Sequence, residues 1–405
     1  MARIVFCLPA MRGHLGAHAP LARELVRRGH NVTLLGSRAL TPLASEEGLN
    51  VASLDWTEPS LGGAGLVRTL TATAAATRGV IRHAPSALAS LDPDLAITDQ
   101  AEPGYALAAE ASGIPRITLT AGLPIMASDE VPPPFLPWPF DPSVKGRKRN
   151  RGGWAVASVL MALQKRALAA GCRDHGLPLR ADMADWTHGV PELRQMIPSL
   201  DFPQPRPANA VSLGPLRDGD VTETLPPLGD KPLIFASLGT LAGRRRRLLH
   251  AICEAAAPLD ATLVLAHAGT LSSAEVAALP GRPLVRNLWP QLPLLDRASV
   301  CITHGGMNTV LDCVAAGVPM LTLPLAFEQP GIAARVAHHG VGLTLPPRQR
   351  GVGMIRATLR ELLSDRDFGD KIAAHRAELR ALGGVRRGAD IIEGSLNRSA
   401  TGDAA

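Results

Sequence analysis

Aromatic residues make up 3% of this 405-residue chain, with one tyrosine in all. That is too few to interleave with its basic runs as a stacking platform, and no nucleic-acid motif stands beside them. Nucleic acid is therefore not expected as a partner. Long apolar runs are missing as well. No segment reaches the roughly 18 residues that span a bilayer, so any membrane contact is expected to be peripheral. Cysteine is sparse. Cys7, Cys172, Cys253, Cys301 and Cys313 make no CxxC or CxxH spacing and are odd in number, which argues against a disulfide framework or a zinc site. They read as buried, reduced thiols of a cytoplasmic protein. The amino terminus, Met1 to Pro9, does not read as a signal peptide, because its apolar run is short and leads straight into a glycine turn. The GxGxxG fingerprint of dinucleotide sites is absent after the first predicted strand. Asp92-Pro93-Asp94 is a DxD by its letters, but it precedes a strand, at the end opposite to where ligands bind. Asp218/Asp220 and Asp365/Asp367 read as turn or surface pairs. No metal is expected, and no cofactor.

What remains is the composition of a globular protein, 46% hydrophobic and long enough for two domains. Arginine far exceeds lysine, and alanine, glycine and proline abound, a bias that says little about function. The formal net charge is +6. Positive charge concentrates in Lys145–Arg151 and Arg244–Arg247. Solvated loops are one reading of these runs. Contact with an anionic membrane surface, at its cytoplasmic face, is the other.

The chain is organised around Ala298 to Gly342. Val300–Thr303 predicts a buried strand, His304-Gly305-Gly306 a sharp turn, Met307–Ala316 a helix stopped at Gly317, and Met320–Leu325 a second strand. The first turn of a helix leaves backbone N–H groups unpaired at the positive end of its dipole. A phosphate at Gly305 to Thr309 would thus be held without a metal. His304 and Asn308 add side-chain donors, Thr309 a hydroxyl, and Asp312 an acceptor for sugar hydroxyls. Glu328 and Gln329 follow the second strand, where ligands of open α/β sheets bind. Gly-rich turns that bind nothing are common, so the turn alone decides little.

The amino-terminal half opens as βαβ: a strand at Arg3–Leu8, a turn at Met11–His14, a helix at Leu21–Arg28 and a strand at Val32–Leu35. This implies a parallel sheet. His14 falls just past the carboxyl end of the first strand, where a neutral imidazole could take a proton from an alcohol; a turn filler is the alternative. Asp99 ends the strand Asp94–Thr98. It could orient and charge-stabilise His14, or simply cap the next helix. Ala121–Pro142 is a proline-rich loop carrying Phe135, Trp138 and Phe140, suited to a greasy ligand or to nothing but solvent. Trp154–Ala170 predicts an amphipathic helix. A Pro/Gly/Asp-rich stretch from Phe202 to Pro232 reads as a linker. A second βαβ series restarts at Leu233–Ser237, with Ser237, Gly239 and Thr240 closing its first strand, and Trp289 and Gln291 after a later one.

The His304–Thr309 run, with Asp312, Ala316-Gly317-Val318-Pro319, Pro324, Glu328 and Gln329, resembles the donor signature of the UDP-glucuronosyl/plant-glucosyl family of glycosyltransferases. Phe235–Thr240, Ile302–Pro330 and Thr98–Pro103 extend the resemblance, which is weakest across 140–230. It implies the GT-B fold: two Rossmann-like α/β domains facing across a cleft. The expected layout is an acceptor domain at 1–207, a linker at 208–230, a nucleotide-sugar domain at 231–385, and a crossover helix and tail at 386–405. It implies His14 as general base and Asp99 as its partner. It also implies a donor site of Ser237, Gly239, Thr240, Trp289, Gln291, His304, Gly305, Gly306, Asn308, Thr309, Asp312, Glu328 and Gln329. Two positions depart from the family pattern: Leu288 stands where a base-stacking tryptophan is usual, and Glu328 replaces an aspartate. The activity implied is inverting transfer of a sugar, glucose by resemblance, from a UDP-sugar co-substrate to a lipophilic alcohol. The acceptor is expected to be a hydroxylated carotenoid, with a macrolide or other polyketide as the alternative. A sugar-nucleotide epimerase or hydrolase on the same fold is a further alternative.

Overall fold

Among the described residues of the computed structural model, all but 60–64, 181, 188–189, 219–223, 240–244 and 402–405 and the side chains of 398–401, the strands divide between two wholly parallel sheets. The first runs β1 (Arg3–Cys7), α1 (Arg12–Arg27), β2 (Asn31–Gly36), α2 (Leu40–Glu46), β3 (Val51–Ser53), α3 (Leu66–Leu91), β4 (Leu95–Asp99), α4 (Pro103–Ala111) and β5 (Arg116–Thr120). It continues through α5 (Val144–Leu160), α6 (Ala162–Asp174), β6 (Glu192–Arg194) and β7 (Ala210–Ser212). The second holds β8 (Leu233–Ser237), α7 (Arg246–Ala256), β9 (Thr262–Ala266), α8 (Ser273–Ala277), β10 (Leu284–Arg286), α9 (Gln291–Leu295) and β11 (Val300–Thr303). It is completed by α10 (Met307–Ala316), β12 (Met320–Thr322), α11 (Gln329–His338), β13 (Gly342–Thr344), α12 (Val352–Ser364) and α13 (Asp367–Ala381), with α14 (Gly384–Thr401) closing the chain.

The strand orders are β3-β2-β1-β4-β5-β6-β7 and β10-β9-β8-β11-β12-β13. Each sheet therefore reverses its winding once, between β1 and β4 and between β8 and β11, and at such switch points the loops part to leave a crevice. The strands are apolar on both faces because helices cover both. Ile4 and Phe6 of β1 join Leu15, Leu21 and Leu25 of α1, whereas Val5 and Cys7 join Val80 and Leu88 of α3. The second sheet alternates likewise, with Phe235 and Cys301 on one face and Ile234 and Ile302 on the other. This is the expected two-domain Rossmann-like architecture, and all five cysteines are buried and free.

Several elements differ from expectation. The first helix begins at Arg12, so Met11–His14 is not a separate turn, and the helix runs through Pro20. A proline there removes the bond to the Gly16 carbonyl. That oxygen instead accepts from Arg217 Nη1 at 3.3 Å. The stretch expected as linker contains β7, which completes the first sheet. Lys145–Arg151 is helical, not a loop: Ser143 caps α5 by accepting from the Gly146 N–H at 3.1 Å, and the helix starts well before Trp154. Asp92 and Asp94 lie at the amino end of β4, paired with Arg3.

Two features join the lobes away from the cleft floor. α14 returns to the first lobe, where Val385, Ala389 and Ile392 enter the core beneath α1 and Glu393 accepts from Arg28 at 2.7 Å. The irregular loop 121–142 reaches the second lobe. Pro134 O accepts from the Gly331 N–H at 2.8 Å, and Phe140 stacks on Phe202 with ring centroids 5.5 Å apart.

Candidate active site

The β1–β4 switch point supplies an imidazole and a carboxylate. His14 occupies the first turn of α1, and its Nδ1 lies 2.6 Å from Asp99 Oδ2 at the end of β4. Asp99 is fully buried, and its other oxygen accepts from the Ala101 N–H at 2.8 Å. Thus one Asp99 oxygen faces His14 and the other closes the turn before α4, whereas the cap of that helix is Glu102, which accepts from the Gly104 N–H at 3.0 Å. Burial works against charge on the ring, yet the Asp99 carboxylate, aided by Glu328 and Glu58, holds the His14 pKa above its ordinary value of 6.5. Burial likewise pushes Asp99 up, and His14 outweighs it, so the carboxylate titrates low. His18, wholly buried, binds the His14 carbonyl through Nδ1 at 2.9 Å. It fixes the backbone of the first turn.

The β8–β11 switch point supplies amides. α10 has Gly306 as its N-cap and no side-chain cap, so among the described residues the N–H groups of its first turn have no side-chain partner. Gly305 adopts a positive φ of 82°, and its own N–H is taken by Thr303 Oγ1 at 3.2 Å. His304 lies between two glycines. A Cβ on Gly239 would stand 2.8 Å from its ring, and one on Gly306 2.6 Å. Only glycines let both turns close over the imidazole. Burial, with Arg245 nearby, pushes the His304 pKa down to about 4, against a weaker opposing effect of the Ser237 backbone. His304 is accordingly neutral and offers a hydrogen bond, not a charge. The positive charge beside it is Arg245, whose own pKa burial and Arg350 hold down to about 10.

The two switch points meet. Asn308 Nδ2 donates to Gly13 O at 2.8 Å, and its Oδ1 accepts from Gln195 Nε2 at 2.9 Å. The residue before His14 is thereby tied to the first turn of α10. Glu328 also reaches across, since a Cβ on Gly122 would stand 3.1 Å from its Oε1. Alongside lies a cavity of about 350 Å³ whose walls include Gly16 and Pro20 of one lobe and Gln291, Asn308 and Asp312 of the other.

Not every side chain in the expected donor set is open. Asp312 is 3% exposed; Arg217 Nε donates to it at 2.9 Å and Gln291 Nε2 at 2.6 Å. Thr309 Oγ1 donates to Gln291 Oε1 at 3.3 Å, so its hydroxyl orients the amide rather than standing free. Gln329 Oε1 accepts from the Leu325 and Ala326 N–H groups, both at 2.9 Å, which closes the loop after β12 and leaves only its Nε2. Trp289 donates Nε1–H to Leu265 O at 3.1 Å, and Arg286 covers its ring at 4.1 Å. Thr240 lies outside the described residues.

Arg217, Gln195, Arg245 and Glu58 are absent from the sequence-derived set. Gln195 is fully buried and also donates to Ala121 O and accepts from the Leu216 N–H. Glu58 accepts from the Ala10 N–H at 3.1 Å and shapes the approach to α1. Pro20 within a helix was the one available sign that a carbonyl there needed an outside donor.

Residues 250–382 match the family described as erythromycin biosynthesis protein CIII-like, C-terminal domain. The chain is 33% identical to a zeaxanthin glucosyltransferase of Pantoea ananas, over 97% of this chain and 96% of that protein. It is 30% identical to a zeaxanthin glucosyltransferase of Pseudescherichia vulneris, over 98% of each. Among solved structures, the glycosyltransferase of kitacinnamycin superposes with a TM-score of 0.80 at 26% identity, covering 98% of this chain and 99% of that one. With two parallel lobes meeting at their switch points and near full-length kinship at this level, the chain belongs to the GT-B glycosyltransferases, in the family that includes the zeaxanthin glucosyltransferases.

Proposed function

We propose that this glycosyltransferase moves glucose from UDP-glucose to a ring hydroxyl of zeaxanthin or a closely related hydroxylated carotenoid, with inversion at the anomeric carbon. One observation carries the reading. A carboxylate-held imidazole stands across a narrow gap from an uncapped helix N-terminus, and the Asn308–Gly13 hydrogen bond of 2.8 Å fixes the two together. The kinship to two zeaxanthin glucosyltransferases supports the acceptor.

In this reaction the Asp99 carboxylate accepts a hydrogen bond from the Nδ1–H of His14, which stays on the ring and leaves Nε2 as the basic nitrogen. Nε2 accepts the acceptor's hydroxyl proton as its oxygen attacks C1 of the sugar from the face opposite the diphosphate. The C1–O bond breaks, its electron pair leaves with UDP, and the imidazolium rests against Asp99. The leaving oxygens are met by the first-turn amides of α10. Because His304 is neutral, the counter-charge comes from Arg245. Asp312 and Gln291 hold one another, together with Arg217 and Thr309, and so order the first turn of α10, while Glu328 with Gln329 Nε2 takes the sugar hydroxyls. No metal enters this account.

The family description names erythromycin biosynthesis, and this favours a polyketide acceptor as the second reading. Purified protein should be incubated with UDP-glucose or dTDP-glucose and a panel containing zeaxanthin, a macrolide aglycone and simple lipophilic alcohols, with products identified by mass. A hexosyl adduct of zeaxanthin from UDP-glucose is the expected product. Transfer confined to the macrolide, or release of UDP with no adduct, would contradict the proposal.

A further inference from the structure

The basic run at 145–151 plays no part in the site, yet the fold gives it a definite place. We infer that the outer face of α5 docks the protein on an anionic lipid bilayer. Val144, Lys148, Arg151, Ala155 and Val159 recur at steps of three and four residues, so they form one stripe along the helix. All five are exposed, Val144 at 83% and Val159 at 73%, and Val156 beside them is 61% exposed. The opposite face, Gly146, Asn150, Gly153, Trp154 and Ala157, is buried.

The stripe is cationic in its first half and apolar in its second. α5 contains no Asp or Glu. Two of its cations are committed to the protein: Arg149 donates to Pro139 O and Arg151 pairs with Asp129. Lys145, Arg147 and Lys148 make no ion pair among the described residues, and all three are exposed. Unpaired cations beside exposed valines complement a surface of anionic headgroups over acyl chains. The pattern suits nucleic acid less well, because the second half offers valines where stacking rings would be needed.

The helix lies on the bilayer and does not cross it. Among the described residues no single helix is long and apolar enough to span; α5 and α6 reach that length only together, across a bend of 62°, and α6 packs on α3 through Gln164 and Thr77. The buried face of α5 carries the loop after β5: Trp154 Nε1 donates to Val131 O at 3.1 Å, and Asn150 Nδ2 donates to Asp129 O at 3.0 Å. Docking therefore brings this loop, which touches α11 at Pro134 and Gly331, to within about one helix diameter of the lipid. The benefit of that position rests on the lipophilic-acceptor reading above, whereas the docking itself does not.

Flotation with phosphatidylcholine vesicles, with and without about one-third phosphatidylglycerol, tests the inference on the full chain. The wild-type protein should float with the anionic vesicles only, and raised salt should release it. At about fivefold per cation, K145E/R147E/K148E should lose at least about a hundredfold in partitioning. V156S/V159S should bind more weakly at equal charge. Circular dichroism and transfer to a water-soluble acceptor should be unchanged in both variants, which separates docking from folding and from catalysis. Equal flotation with neutral and anionic vesicles, undiminished binding of the triple variant, or binding to a single-stranded RNA oligonucleotide in place of vesicles would overturn the inference. Transfer to the water-soluble acceptor but none to zeaxanthin, alongside intact vesicle binding, would count against the acceptor reading alone.

Discussion

Asp99 accepts from the Ala101 amide through one oxygen and from His14 through the other. A buried carboxylate so held favours the protonated ring, and the His14 pKa is raised above 6.5. In its proposed role as base His14 works only when neutral, so kcat/KM should rise with pH through a value above 6.5 and fall away on its acid side. Asp99→Asn removes the anion that raises this pKa. Its acid limb should move to lower pH while the rate drops; a pH–rate profile that keeps the wild-type limb would show that Asp99 does not tune the base. The neutral His304 makes a second prediction at this scale. Arg245→Ala should weaken UDP binding, measured by calorimetry, by roughly tenfold or more, the order expected for losing one charge-assisted hydrogen bond. His304→Gln, which retains a neutral donor, should cost less. The reverse order would place the counter-charge on His304 after all.

Strand ends carried the legible part of the site. Arg3–Cys7, Leu95–Asp99 and Val300–Thr303 are apolar runs that can only be buried strands, and His14, Asp99 and His304 follow or end them. A residue's distance past such a strand can be counted along the chain. Arg217 and Gln195 could not be found that way, because they act on Asp312 and Asn308 across 95 and 113 residues of sequence. α1 outruns its expected span, Leu21–Arg28, for a local reason. Pro20 reads as a helix breaker, and only Arg217, distant in sequence, repairs the bond it removes. The basic run misled in the opposite sense: charge suggested a loop, but Ser143 supplies a cap and Gly146 and Gly153 let α5 lie directly on Asp141 and Trp138. Element packing also explains Gly331 at the start of α11. A Cβ there would collide with the Pro134 carbonyl oxygen, which is backbone and cannot swing away. Gly331→Ala should displace the loop that includes Pro134 and lower the melting temperature by a few degrees, the order expected for 1–3 kcal/mol of overpacking. An unchanged melt would mean that this loop is not anchored to the second lobe.

Taken whole, the molecule is two sheets of the same winding turned so that their switch points meet. The joint is polar where chemistry is expected and apolar elsewhere. Asn308, Gln195 and Arg217 bridge the lobes at the cleft, while Phe140, Phe202 and His338 pack together behind it. α14 adds a third connection by burying Val385, Ala389 and Ile392 in the lobe where the chain began. In the proposed reaction the base stands on one body and the leaving-group amides on the other, so that proton removal and diphosphate stabilisation are separable functions. Transfer rate and UDP binding, measured side by side for His14→Ala, test that separation most directly. The account predicts that turnover falls by about 100- to 10,000-fold, as for loss of a general base, while UDP binds with nearly wild-type affinity. Near-normal turnover in this variant would contradict it.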